Sequence, residues 1–249
     1  DEHDMSSKEF YRRIRAGGTC TTNQINTATF LDLFAPILEG GEDIFYMAFS
    51  SGLSGTYNSA CMAAQELRAR YPEREVVVVD TLAASMGEAL LVYYAVQQKR
   101  AGLSIHELEK WVEDNRNHLA HWFTVDDLNH LKRGGRVSGT AAFFGTMLGI
   151  KPVLHVDDEG HLIPMEKVRG RRQSLDALVK HMSTTAKLEN AKTVFISHGD
   201  CQEDAEYVAD QVREKFPGTK VYINMIGPVI GAHSGPGTMA LFFMAENKY

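Results

Sequence analysis

Apolar runs alternate with amphipathic stretches along most of the chain. Ile44–Phe49 is an unbroken apolar run of strand length, and Thr56–Arg70 spaces its apolar residues as one face of a helix. "EVVVVD" (Glu75–Asp80) is a second continuous apolar strand. Ser85–Arg100 and Ser104–Arg116 read as helices, the second with Ser104 and Glu107 in capping-box register. Strands apolar on both faces and joined by helices predict a parallel sheet with helical crossovers. The texture then changes. "HWFTVDDLNHLKRGGRVSG" predicts a short strand, a small helix and a basic Gly-rich loop, and Pro152–Val156 with Leu162–Lys167 predicts a hairpin around the turn Asp157–Gly160. A helix from about Arg172 to Lys187, strand Thr193–Ser197, helix Glu203–Phe216 and strand Lys220–Asn224 follow. The predicted class is α/β in two domains, with the boundary near His118–His121 where the regular alternation ends: residues 1–119 form an α/β domain and residues 120–249 a smaller one. The opening segment, "DEHDMSSKEFYRRI", is a helix with Ser6 and Glu9 in capping-box spacing. A doubly wound domain normally starts with a central strand, so a missing N-terminal segment is the simplest expectation there, with a different topology as the alternative.

The composition narrows the functional classes. With 249 residues, 44% of them hydrophobic and 23% charged, the chain can bury a sizeable core and is not a candidate for disorder. A formal net charge of -6 argues against general nucleic-acid binding. The longest apolar stretches, around Ala141–Leu148 and Met239–Ala245, are too short to span a bilayer, and no signal-peptide pattern is visible. Cys20, Cys61 and Cys201 are few, odd in number and far apart, which fits a reducing compartment and predicts a cytoplasmic protein.

The candidate chemistry gathers at small-polar turns next to helices. In "IFYMAFSSGLSGTYNSACMAAQEL" a strand passes through a Ser/Gly turn into a helix, so free N–H groups and the positive end of the helix dipole face whatever sits above the turn. Such a turn could hold a phosphate, activate a serine or bind a carboxylate, or it could simply let the chain reverse. Gly52-Leu53-Ser54-Gly55-Thr56 approximates a nucleophile elbow, but Thr56 stands where the second glycine belongs; a serine hydrolase would use Ser54 with His233 as base. No Lys follows the glycines as in a phosphate-binding loop. "CTTNQIN" (Cys20–Asn26) precedes a helix starting near Thr27, where Thr22 could serve as no more than a cap or turn residue. "GPVIGAHSGPGTMALFF" (Gly227–Phe243) places His233 and Ser234 ahead of a predicted apolar helix. "HLKRGGRVSG" and "EKVRGRR" are basic clusters on an acidic chain, either solvated loops or a surface for an anionic partner. The scattered histidines complete no metal-ligand set, although His118 and His121 are close in sequence.

Taken in order, "EFY", "TTNQIN", "SSGLSGTYNSA", "VVVVDTLAASMG", "DDLNHLKRGGRVS", "IKPVL", "KVRGRR" and "GPVIGAHSGPG" cover nearly the whole chain. In this the chain resembles the DegV family of bacterial fatty acid-binding proteins, some of which are the binding subunit of fatty acid kinase. Two departures stand out: the family's N-terminal strand with its T-D-S element is absent, and Asn23 and Ile25 replace the Ser and Pro of its T-S-Q-P element. The resemblance implies a two-domain α/β protein with an acyl chain buried between a parallel-sheet domain and a mixed-sheet one. It implies that Thr22 and Ser54 bind the carboxylate, that His233 supports that network, and that Gly55 offers its N–H. Arg136 and Arg169 would face the kinase. The ligand would be a long-chain fatty acid such as palmitate, stearate or oleate, with no cofactor, no catalysis by this chain alone and at most transient membrane contact.

Overall fold

The computed structural model describes residues 5–137, 149–186, 192–246 and 248. A two-stranded parallel sheet pairs β1 (Ile44–Ala48) with β2 (Val76–Asp80), Ile44 facing Val76 and Ala48 facing Asp80. The crossover between them is α3 (Thr56–Arg70), which packs its Ala60, Ala63, Ala64 and Leu67 with Phe30, Phe34 and Leu38 of α2 (Thr27–Glu39) over the outer face of that sheet. A six-stranded mixed sheet follows, built from β3 (Leu119–Thr124), β4 (Ile150–Val156), β5 (Leu162–Arg169), β6 (Thr193–His198), β7 (Lys220–Met225) and β8 (Met239–Met244). Its spatial order is β5-β4-β3-β8-β6-β7, antiparallel throughout except for the parallel β6–β7 pair. The fold is α/β, with a small parallel sheet and a larger mixed one.

Alternation along the central strands sorts side chains onto the two faces of the large sheet. Ala120, Trp122, Val194, Ile196, Leu241 and Phe243 join α7 (Arg171–Thr185) and α8 (Gln202–Lys215) in one core. Phe123, Phe195, Ala240 and Phe242 face the other way, toward α4 (Met86–Arg100), α5 (Ile105–Asn115) and Val77 and Val79 of β2. The helices α4 and α5 are thus packed between the two sheets, and one continuous core joins them. The full capping box at Ser104 and Glu107 forms as the spacing predicts. Ser6 accepts the Glu9 N–H at 3.3 Å, but the Glu9 carboxylate turns to Arg12 and Arg13 instead of closing the box.

Two elements differ from the sequence reading. Met239–Met244 is not an apolar helix but β8, paired with both β3 and β6. A six-residue run buried on both faces carries no period, so helix and strand look alike in it. The residues before it form α9 (Pro228–Ser234), a short helix with proline at its first turn, and not a loop. The apolar stretch 141–148, Ser138 of the "GGRVS" element and the predicted end of α7 at Lys187 lie outside the described residues.

The histidines inside this fold make stability depend on pH. The Nδ1–H of His121 donates to Leu119 O at 3.2 Å and that of His155 to His121 O at 3.0 Å, since a carbonyl can only accept. Burial pushes His121 well below the usual 6.5 and His155 to about 3. Unfolded histidines take up protons below about 6.5, while the folded ones resist until the pH nears their lowered values, so folding stability is full above pH 6.5 and declines as the pH falls through that window. Urea midpoints measured between pH 7.5 and 4.5 should fall steadily, and His155→Gln should flatten the decline. An equal slope in wild type and variant would refute this assignment.

Candidate functional site

The turn after β1 is shaped by its own serines and by the end of β2. The N–H groups of Leu53 and Ser54 both donate to Ser50 O at 3.1 Å. The buried Asp80 carboxylate accepts the N–H groups of Ser51 at 3.1 Å and Leu82 at 3.0 Å, locking this turn to the one after β2. Ser54 Oγ accepts the Thr56 N–H at 3.2 Å and lies 2.9 Å from Thr56 Oγ1, so the hydroxyl sits at the start of α3. Gly55 is backed by the Gln24 side chain: a Cβ there would meet Gln24 Oε1 at 2.1 Å.

A second segment closes over this turn. Asn26 caps α2 by accepting the Thr29 N–H at 2.9 Å, and residues 18–26 before the helix belong to no helix or strand. Thr22 Oγ1 reaches His233 Nε2 at 2.7 Å. His233 is held in place by α9, which α1 (Ser7–Arg15) clamps from outside: Tyr11 donates to Ile226 O at 3.0 Å, and its ring with that of Phe10 fills the space a Cβ on Gly231 would need. On its other side the imidazole lies against Gly134 of α6 (Asn129–Gly134), and His233 Nδ1 is buried without a hydrogen-bond partner among the described residues. Burial, and then the nearby Arg136 cation, push the His233 pKa below its ordinary value, so the ring is neutral at pH 7. Arg136 donates to Leu53 O at 3.2 Å and to Gly134 O, tying the basic loop to the serine turn.

These groups line a cavity of about 440 Å³, within the usual span of about 300–1,000 Å³ for small-molecule sites. Thr22, Ser54, Arg136 and His233 supply its polar corner, and Phe49, Phe123, Leu131, Leu162, Ile226 and Phe242 much of its apolar wall. Ile25 and Val229 line it while remaining 41% and 68% exposed, so they form its rim. Among the described residues no cluster of three or more His, Cys, Asp or Glu could hold a metal ion, and no helix is long and apolar enough to cross a membrane.

The model of the family described as an uncharacterised protein, DegV, matches residues 1–246. The chain belongs to the DegV family. It is 47% identical over 247 residues to a DegV domain-containing protein of Clostridium perfringens, covering 99% of this chain and 85% of that one. A solved DegV family protein from Thermus thermophilus, described by its fatty acid binding, is similar with TM-score 0.85 and 30% identity, over 97% of this chain and 85% of that one. A DegV lipid binding protein from Thermotoga maritima matches with TM-score 0.83 and 28% identity, over 100% and 85% of the two chains.

Of the residues singled out in this DegV sequence, Thr22, Ser54, His233 and Arg136 meet at one cavity. Gly55 stands behind Gln24, off the cavity wall, and Arg169 is exposed on the edge strand β5. Arg136 is half-buried at the cavity, although the basic loop reads in sequence as a surface. The Ser54–His233 dyad of the hydrolase alternative is not made: His233 Nε2 is engaged by Thr22, and Ser54 Oγ by Thr56. Sequence reading missed Ser85 and Ser197, which also line the cavity. A lone serine near the end of the apolar strand "TVFISH" was the available signal for the second. Because a Cβ on Gly134 would stand 2.3 Å from His233 Nδ1, Gly134→Ala should rotate the imidazole off Thr22. The ring nitrogen shifts of labelled His233 should change markedly with little change in melting temperature; unaltered shifts would mean that the histidine is not wedged against this glycine.

Proposed function

We propose that this protein is a carrier that binds a long-chain fatty acid non-covalently, its carboxylate at the serine turn and its acyl chain along the apolar wall, and presents it to a fatty acid kinase. The observation that carries the reading is the division of the cavity into one polar corner and an otherwise mainly apolar wall. In that corner the Thr22 hydroxyl can donate to a carboxylate once His233 Nε2–H donates to Thr22 Oγ1, a relay compatible with a neutral imidazole. Ser54 donates in the same way, and the Arg136 guanidinium supplies a positive charge nearby. None of these groups needs to lose a proton, in keeping with binding and not with attack. The fatty acid binding of the Thermus thermophilus relative supports the choice of ligand.

The energetics assign the parts different work. Each buried methylene contributes about 0.8 kcal/mol, so a palmitoyl chain of about fourteen supplies roughly 11 kcal/mol before the costs of binding. A charge-assisted hydrogen bond adds about 1.5–3 kcal/mol, and leaving the carboxylate unpaired in the cavity would cost more. Affinity comes from the tail and position from the head. Presenting the head to a partner requires a recognisable face beside it, and the proposal gives that role to Arg169 and to the basic loop around Arg136.

Calorimetry on delipidated protein tests the head site. Ser54→Ala and Thr22→Val should each weaken palmitate binding roughly ten- to a hundredfold, and the double variant by less than the product, because both hydroxyls share one carboxylate. Wild-type affinity in both single variants would place the carboxylate elsewhere. Arg136→Ala should weaken fatty acid binding, whereas Arg169→Ala should lower only kinase-dependent acyl phosphate formation. Turnover of a p-nitrophenyl ester that vanishes in Ser54→Ala would favour the hydrolase instead.

A further inference from the structure

The floor of the cavity is not uniformly apolar. In the registers of β3, β8 and β6, Phe123, Ala240 and Ser197 stand in one row and His121, Phe242 and Phe195 in the next, all on the same sheet face. His121 and Ser197 are each 1% exposed, and both line the cavity. His121 Nε2 is buried behind that floor against Gly87 of α4, so the ring offers the cavity no acceptor. Ser197 Oγ lies 3.0 Å from Ser85 Oγ. Two hydroxyls in mutual contact engage one hydrogen and leave the other free to donate. The cavity therefore contains an unused hydroxyl donor away from the serine turn.

Ser85 strengthens the point. Its backbone has φ 57° and ψ -141°, a conformation in which glycine is at ease and a side chain is strained. Glycine would serve the turn before α4 better, yet a serine stands there with its hydroxyl on Ser197. An unmodified alkyl chain laid along this floor would strip water from these groups and return no hydrogen bond. An alcohol both donates and accepts, and so matches what the serine pair offers.

We propose that the cavity is built for an acyl chain bearing a hydroxyl group along its length, a hydroxylated long-chain fatty acid, with the Ser85–Ser197 pair as a second polar station. The proposal rests on the fatty acid reading above. The probes are stearate and the series of mid-chain monohydroxystearates, titrated calorimetrically into the delipidated full chain. At least one positional isomer should bind roughly five- to tenfold more tightly than stearate, the gain expected of a hydrogen bond made without loss of water. Ser197→Ala should bring that ratio close to one, and so should Ser85→Gly, which suits the backbone there. Ser197→Ala removes a single oxygen from a buried site and Ser85→Gly relieves a strained backbone, so either variant reports if the other fails to fold. Stearate binding with every isomer equal or weaker would overturn the proposal and leave the fatty acid reading intact. Failure of stearate itself to bind would overturn that reading. A preference unchanged in both variants would show that the hydroxyl is recognised elsewhere.

Discussion

The cavity depends on the meeting of two turns. Ser50, at the end of β1, donates its buried hydroxyl to Gly160 O at 2.8 Å, in the hairpin turn between β4 and β5, and accepts the Gly52 N–H at 3.2 Å. No side chain fits between the turns. A Cβ on Gly52 would meet Glu159 O at 2.8 Å, and one on Gly160, where φ is +80°, would meet Ser50 Oγ at 2.1 Å. This contact fixes the edge of the small sheet against the hairpin of the large one, and the space left beside it is walled by Leu53 and Ser54 on one side and Leu162 and Val156 on the other. A buried hydroxyl–carbonyl bond of this kind is modest when made and costly to leave unmade, so it holds the register of the two sheets more than it adds to stability.

From that closure the division of the cavity follows. The large sheet has one face packed solid by α7 and α8, while its other face is only partly covered by α4 and α5. The uncovered part is the apolar wall, and the serine turn, the Thr22 segment and α9 converge at its edge. Several groups there are held by a neighbour from a distant part of the chain: Thr22 by His233, Arg136 by Leu53, and α9 by Tyr11. Oriented donors thus stand at one edge of a wall that is mostly carbon.

Much of the fold was legible because it is written in local terms. The strands of the small sheet are continuous Val and aromatic runs, and α3, α5 and α8 carry apolar faces and, at Ser104 and Glu107, an explicit start signal. β8 was not legible: Met239–Met244 is buried on both faces between two partner strands, so nothing in its pattern tells a strand from a helix. The candidate site divides in the same way. Its serines, threonine and histidine stand out as small-polar turns beside helices. The cavity position of Arg136, and the inward-facing Ser85, Ser197 and His121, do not.

By itself the sequence determined the succession of elements, the apolar content of the strands, the start of α5 and the family to which the chain belongs, because these depend on period, capping and motif within short stretches. The tertiary structure alone decided that Thr22 meets His233 across 211 positions and that Arg136 turns toward Leu53 and not outward. It also decided that Ser197 and Ser85 share a hydrogen bond inside the cavity. Such pairings depend on strand order and register in the large sheet and on the closure of two turns, and no local pattern encodes them.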